Sequence, residues 1–159
     1  ESGAHAVKLE GGKEVSESIS KIINAGIPVM GHLGLTPQSI YKFGTYNVRG
    51  KNKIEADQLI KDAQTLEKLG CFSTVLEKIP HKLSNEISKK TKFPLIGIGA
   101  GDNVDGQVLV IHDLIGLTNE FNPRFIRRYL DLNSSIKSAV SQFIKDVKSS
   151  DFPNKEEMY

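Results

Sequence analysis

Val29-Met30-Gly31-His32, entered through Gly26-Ile27-Pro28 and left through Leu33-Gly34-Leu35-Thr36-Pro37, reads as a short buried strand that finishes on an imidazole. Two other apolar runs finish in the same manner, Val7-Lys8-Leu9-Glu10 and Val75-Leu76-Glu77, and a glycine-rich fourth, Pro94-Leu95-Ile96-Gly97-Ile98-Gly99, ends nearby. Parallel strands of an α/β barrel or a doubly wound sheet share one face at their carboxyl ends, and such folds place their chemistry there. Polar and ionisable groups at three of these ends point to an enzyme.

Outward from that stretch, short apolar runs alternate with longer amphipathic ones, which is the pattern of repeated strand and helix units around parallel strands. Strands are expected at about 5–10, 28–32, 72–77, 94–99 and 108–111. Val15, Ile19, Ile22 and Ile23 recur at helical spacing and stop at Gly26 and Pro28. Thr36-Pro37 suits a helix cap with proline in the first turn. Tyr41 to Lys53, with Gly44, Gly50 and three aromatics, is expected to be a longer loop, either a lid or binding segment or a surface excursion or subunit contact. Leu59, Ile60, Ala63, Leu66 and Leu69 trace one helix face closed by Gly70, and Pro80-His81 opens a shorter helix. From Pro123 the periodicity predicts two terminal helices over about 123–148, separated at Leu132-Asn133-Ser134-Ser135 and followed by a polar tail, 149–159.

With 159 residues, the chain is one domain's worth and short for a closed eight-fold barrel, which typically needs about 250. Twenty-one basic and 19 acidic residues are scattered along it, giving a formal charge of +2 and no dense basic face. A nucleic-acid partner is therefore not expected. No apolar run approaches the roughly 20 residues that span a bilayer, so no membrane partner is expected either. A single cysteine, Cys71, reads as a small buried apolar residue before a strand and is compatible with a reducing cytoplasm.

Each candidate site residue has two readings. Glu10 stands directly before Gly11-Gly12, where its carboxylate could contribute oxygen to a hard cation such as magnesium; a surface salt bridge would also explain it. Lys8, two residues earlier on the same strand face, could hold a substrate carboxylate or point into a polar barrel layer. His32 is a hydrogen-bond donor to substrate or a structural histidine bonded to loop backbone. Glu77 ends a buried strand, where desolvation suits a carboxylate to act as a base, or it pairs on the surface with Lys78. His5, His81 and His112 have no comparable setting. Gly97-Ile98-Gly99-Ala100-Gly101 approaches a phosphate cradle, but Asp102 follows where the fingerprint requires glycine; the glycines read as close backbone approach.

Ala6-Val7-Lys8-Leu9-Glu10-Gly11-Gly12, the run from Gly26 to Ser39, Val75-Leu76-Glu77, and Ile96 to Gly101 with Asp105-Gly106-Gln107-Val108-Leu109-Val110 together resemble the ketopantoate hydroxymethyltransferase family, block by block and in order. The resemblance implies a (β/α)8 TIM barrel of the phosphoenolpyruvate and pyruvate superfamily, of which this chain looks like strands four to eight. The whole of 1–159 would then be the carboxy-terminal part of one barrel domain, forming a homodecamer when complete. The activity implied is transfer of a hydroxymethyl group from 5,10-methylenetetrahydrofolate to 3-methyl-2-oxobutanoate, giving 2-dehydropantoate on the way to pantothenate and coenzyme A.

By the same resemblance, Glu77 matches the general base, Lys8 the substrate-binding lysine, Glu10 a carboxylate assigned to Mg2+ directly or through water, and His32 a histidine lining the pocket. The family's two other metal carboxylates, both aspartates, would precede Glu1. Arg49 departs from the pattern, standing where glutamine is expected. Five parallel strands alone would leave two unpaired edges and an exposed apolar interior, so the chain is expected to fold poorly by itself. Two rival readings stand beside the transferase: another Mg2+-dependent oxo-acid lyase on the same barrel, and a noncatalytic fragment that binds partners.

Overall fold

A computed structural model describes residues 3–118, 120 and 122–159, apart from the side chains of Lys42 and Phe43. The side chain of Phe43, one of the three aromatics expected in the 41–53 excursion, therefore lies outside the description. Contacts divide the chain into two compact units, 1–108 and 109–159.

The first unit is a five-stranded, wholly parallel sheet in the order β1 (Val7–Glu10), β2 (Val29–Gly34), β3 (Ser73–Glu77), β4 (Leu95–Ile98), β5 (Gly106–Gln107). Each strand pairs with its neighbour in sequence. A doubly wound sheet reverses direction at a switch point, whereas sequential order with right-handed crossovers keeps every helix on one side. The order here is sequential throughout. Helices α1 (Ser16–Asn24), α3 (Lys53–Leu69) and α4 (His81–Lys90) enclose one core with the outer sheet face, built from Val29, Leu33, Leu76 and Leu95 against Ile19, Leu66 and Ile87. Between β2 and α3, a 3-10 turn, Pro37–Ser39, leads into the short α2 (Ile40–Phe43), which ends at Gly44.

The amphipathic spacing of α3 explains its docking, and its ends are well specified. Asn52 caps the first turn by accepting from the Glu55 amide at 2.9 Å, and Gly70 closes the last in the left-handed conformation at φ 93°. Cys71 follows in a buried position, and burial pushes its thiol up from the ordinary cysteine value.

Strand alternation puts Lys8, Glu10, Met30, His32, Val75, Glu77, Ile96 and Ile98 on the other, inner face. Of these, His32 and Val75 are buried, Lys8 is exposed and the remainder are half-buried.

The fifth strand differs from expectation. Pairing falls on Gly106 and Gln107, opposite Ile96 and Gly97, and Val108 adds one amide bond to the Gly97 carbonyl at 3.0 Å. The apolar run 108–111 instead leads into a helical turn, α5 (Ile111–Leu114). Apolar content alone does not distinguish a strand from the entry to a helix over four residues.

In the second unit one long helix forms, α6 (Leu132–Ser149), in place of two over 123–148. Residues 123–131 make turns. Ile126 N–H closes a single turn onto Pro123, Tyr129 N–H donates to Leu114, and Leu132 N–H, at the start of α6, donates to Ile115 at the end of α5. Asp131 caps α6 by accepting from the Ser134 amide at 3.1 Å. Past the helix, Phe152 meets Phe143 edge-on, with ring centroids 5.4 Å apart. None of the described helices is long and apolar enough to cross a membrane.

Candidate active site

The ends of the first three strands bring together three of the four candidate residues. Glu10 and His32 are register partners across β1 and β2, while Glu77 lies two residues beyond Val75, the partner of His32 on β3. The three side chains therefore form a line across the inner face. His32 is its centre, only 2% exposed. Its Nδ1 lies 3.3 Å from Glu10 Oε1 and its Nε2 lies 3.1 Å from Glu77 Oε2.

These distances are those of ion pairs, yet neither contact has the alignment of a hydrogen bond, and both ring nitrogens are buried without one. A neutral imidazole carries one N–H and could serve one carboxylate; only the imidazolium could serve both. The second oxygen of Glu10 is aligned, accepting from the Gln38 amide at 2.9 Å. With side-chain exposures of 10% for Glu10 and 17% for Glu77, both carboxylates are largely removed from water but still reachable from the strand mouth.

The bland readings of two residues are thereby overturned. Among the described residues Glu10 makes no surface salt bridge and faces buried His32 instead. Glu77 turns to His32, not to Lys78, whose Nζ donates to the Tyr46 carbonyl at 2.5 Å. Lys78 stands in the left-handed region, at φ 49°, immediately after Glu77. Its amide bonds to Ile98 at 2.8 Å and its carbonyl accepts from Arg49, while the Glu77 carbonyl accepts from Leu35. A non-glycine residue held there next to a candidate base is the kind of backbone strain that clusters at functional sites. Arg49 itself is ion-paired with Glu55.

Lys8 shares the inner face, but among the described residues no ion pair joins it to the other three. Of the glycines after β4, Gly101 makes a close approach within the chain, where a Cβ would meet His81 Cβ at 2.4 Å.

Two contributors escape a reading of the sequence. Gln38 acts through its backbone, which has no side-chain signature. Asp62 lies inside the apolar face of α3, 7% exposed, where periodicity expects a core residue. Its Oδ1 accepts from the Lys13 amide at 3.1 Å and from Gln58 Nε2 at 2.9 Å. Beside it opens a cleft of ≈ 600 Å³ lined by residues that include Gly12, Gly34, Thr36, Arg49 and Glu55.

Glu10 has the oxygen chemistry a hard cation needs, at a strand mouth and half-buried, and each of its oxygens retains a lone pair beyond its present neighbour. It fits as one ligand of such an ion. Among the described residues no group of three or more His, Cys, Asp and Glu is disposed to hold a metal, so Glu10 would share the ion with oxygens from elsewhere.

Ionisable groups at the carboxyl ends of consecutive parallel strands, with α1, α3 and α4 against the other face of the sheet, have the layout of an α/β-barrel enzyme. Comparison with known sequences gives the particular lineage. The profile of the family described as ketopantoate hydroxymethyltransferase matches residues 1–155, and the chain belongs to that family. Its five strands are part of a TIM barrel. Proteins named 3-methyl-2-oxobutanoate hydroxymethyltransferase from Flavobacterium johnsoniae and Christiangramia forsetii are 67% and 63% identical over all 159 residues. The chain spans 58% of the length of each. Among solved structures, the YdjI aldolase from Escherichia coli K12 aligns with a TM-score of 0.41 and 16% identity, over 70% of this chain and 47% of that one, too distant to bear on function.

Proposed function

We propose that this chain supplies the base and one metal-facing carboxylate of a 3-methyl-2-oxobutanoate hydroxymethyltransferase, working in a polypeptide that completes the barrel. The observation that carries the reading is the line Glu10, His32, Glu77 at three adjacent strand ends, in a chain whose close relatives bear that name. The substrates are 3-methyl-2-oxobutanoate and 5,10-methylenetetrahydrofolate, the product is 2-dehydropantoate, and the setting is cytoplasmic, as a homodecamer.

Glu77 is the general base. Its carboxylate removes the proton from C3 of the oxo acid, and the carbon so freed bonds to the one-carbon unit. Water supplies the hydroxyl oxygen of the new group, and the unit's bonds to the folate nitrogens break as tetrahydrofolate leaves with the C3 proton and the second water proton on those nitrogens. His32 holds Glu77 from one side, and the bonds from Leu35 and to Ile98 fix the strand exit on either flank, so the base does not reorganise during proton transfer. Lys8 binds the substrate carboxylate from the exposed end of the same face. Glu10 would hold Mg2+, directly or through water, and the ion would polarise the ketone so that the neighbouring C–H becomes acidic.

The experiment is Glu77→Gln in protein carrying the complete barrel, with exchange of the substrate C3 proton for deuterium followed by NMR. Exchange should fall by about 100-fold or more while oxo-acid binding is retained. Undiminished exchange refutes Glu77 as base. Lys8→Ala should instead weaken oxo-acid binding, and unchanged affinity would reject that assignment.

A further inference from the structure

Helix α1 is entered through a 3-10 turn, Lys13–Val15, whose N-cap is Gly12. Glycine has no side chain to receive the free amides of a helix start, and no local side chain does so here. The acceptor comes from α3. Asp62 Oδ1 takes the Lys13 amide from 49 residues away. The fit is steric as well as electrostatic, since a Cβ on Gly12 would stand 2.2 Å from Asp62 Cγ. The turn therefore rests directly on a buried carboxylate, which a helix otherwise built of apolar contacts has no packing reason to hold.

Glu10 is the residue from which this turn departs. Gly11 N–H donates to the His32 carbonyl at 3.0 Å, and Gly12 and Lys13 are then pinned by Asp62. With one end of the turn paired to β2 and the other resting on α3, the direction of the Glu10 side chain toward Gln38 and His32 is determined from both sides.

We propose that Asp62 is a positioning residue for Glu10, acting through the Gly12–Lys13 turn. The inference gives a task to a buried charge that the proton-transfer chemistry does not use, and it rests on the functional reading only in what Glu10 then does.

Hydrogen exchange of the Gln38 amide tests it in protein carrying the complete barrel, because Glu10 Oε2 is the acceptor of that amide. Asp62→Ala should speed its exchange by about tenfold, as Glu10→Ala should, while the Phe72 amide, bonded to Val29 across β2 and β3, keeps its wild-type rate. Asp62→Asn, which retains Oδ1, should leave Gln38 near its wild-type rate. Where the alanine variant does not fold, Asp62→Ser, polar but too short to reach Lys13, takes its place. Metal binding is read separately, by Mn2+ titration without substrate. Asp62→Ala should weaken it about tenfold in the parent and not further in the Glu10→Gln background. If Gln38 exchange is unchanged in the alanine or serine variant, the inference is overturned. If Gln38 responds but Glu10→Gln binds Mn2+ normally, the metal role of Glu10 fails and the positioning role of Asp62 stands.

Discussion

Nε2 of His32 stands 3.1 Å from Oε2 of Glu77, a diagonal contact between neighbouring parallel strands, since His32 pairs in register with Val75, two residues short of Glu77. Because the opposite ring nitrogen faces Glu10, one buried side chain couples the ends of three strands. Two largely desolvated carboxylates would otherwise confront each other across the inner face with nothing between them.

His32→Phe fills similar space while removing both nitrogens. It should destabilise the fold by roughly 1–3 kcal/mol, the usual cost of leaving buried polar groups unserved. Part of that loss should return when Glu77→Gln is added, since one of the two charges is then gone. Denaturant midpoints of the two single variants and the double variant measure it, and strictly additive losses would show that His32 and Glu77 are not coupled.

Gly34, at φ 95°, ends β2 where a Cβ would stand 2.2 Å from the Glu77 carbonyl oxygen. Gly26 has a similar φ, 84°, but open space around it. Both alanine variants suffer backbone strain of about 1–3 kcal/mol; only Gly34→Ala must also displace the strand exit carrying Glu77. A clearly larger fall in unfolding temperature for Gly34→Ala is expected, and equal falls would contradict the close approach.

The cap of α6 gives a pH dependence with a definite sign. Side-chain and backbone hydrogen bonds from Ser134, then the charges of Arg128 and Lys137, hold the Asp131 carboxyl below the usual aspartate value. A lowered folded value means that the cap's contribution is fully present above the unfolded aspartate range, about pH 3.9, and is lost as pH falls through the lower folded value. Protection of the first α6 amides should exceed that of Asp131→Asn at neutral pH and converge with it in acid. A difference that persists unchanged below about pH 2 would contradict the charged cap.

The architecture was largely legible because its signals are local. Alternating runs, Gly70 after the α3 stripe and Pro80-His81 before α4 each mark an element through backbone chemistry confined to a few residues. The site was legible in part: ionisable groups at successive strand ends must converge if the strands are parallel neighbours, and Glu10, His32 and Glu77 do. What stayed hidden depends on distant partners. Val108 to Ile111 is as apolar as a strand, yet pairing stops at its first amide. Phe125 to Leu130 has helical spacing, but Ile126 N–H closes only one turn onto Pro123 and Tyr129 N–H bonds to Leu114 at the end of α5. The spacing of α3 turns Asp62 inward, but nothing near it in sequence says what it serves, because the group requiring it is an amide in the turn before another helix.

That borrowed acceptor has a bearing on how the polypeptide comes together as it is made. Lys13 leaves the ribosome 49 residues ahead of Asp62, and until the later helix arrives the amide of its turn can bond only to water. The strand that carries Glu10 and the helix after it thus acquire their final junction late, when a segment made well after them docks.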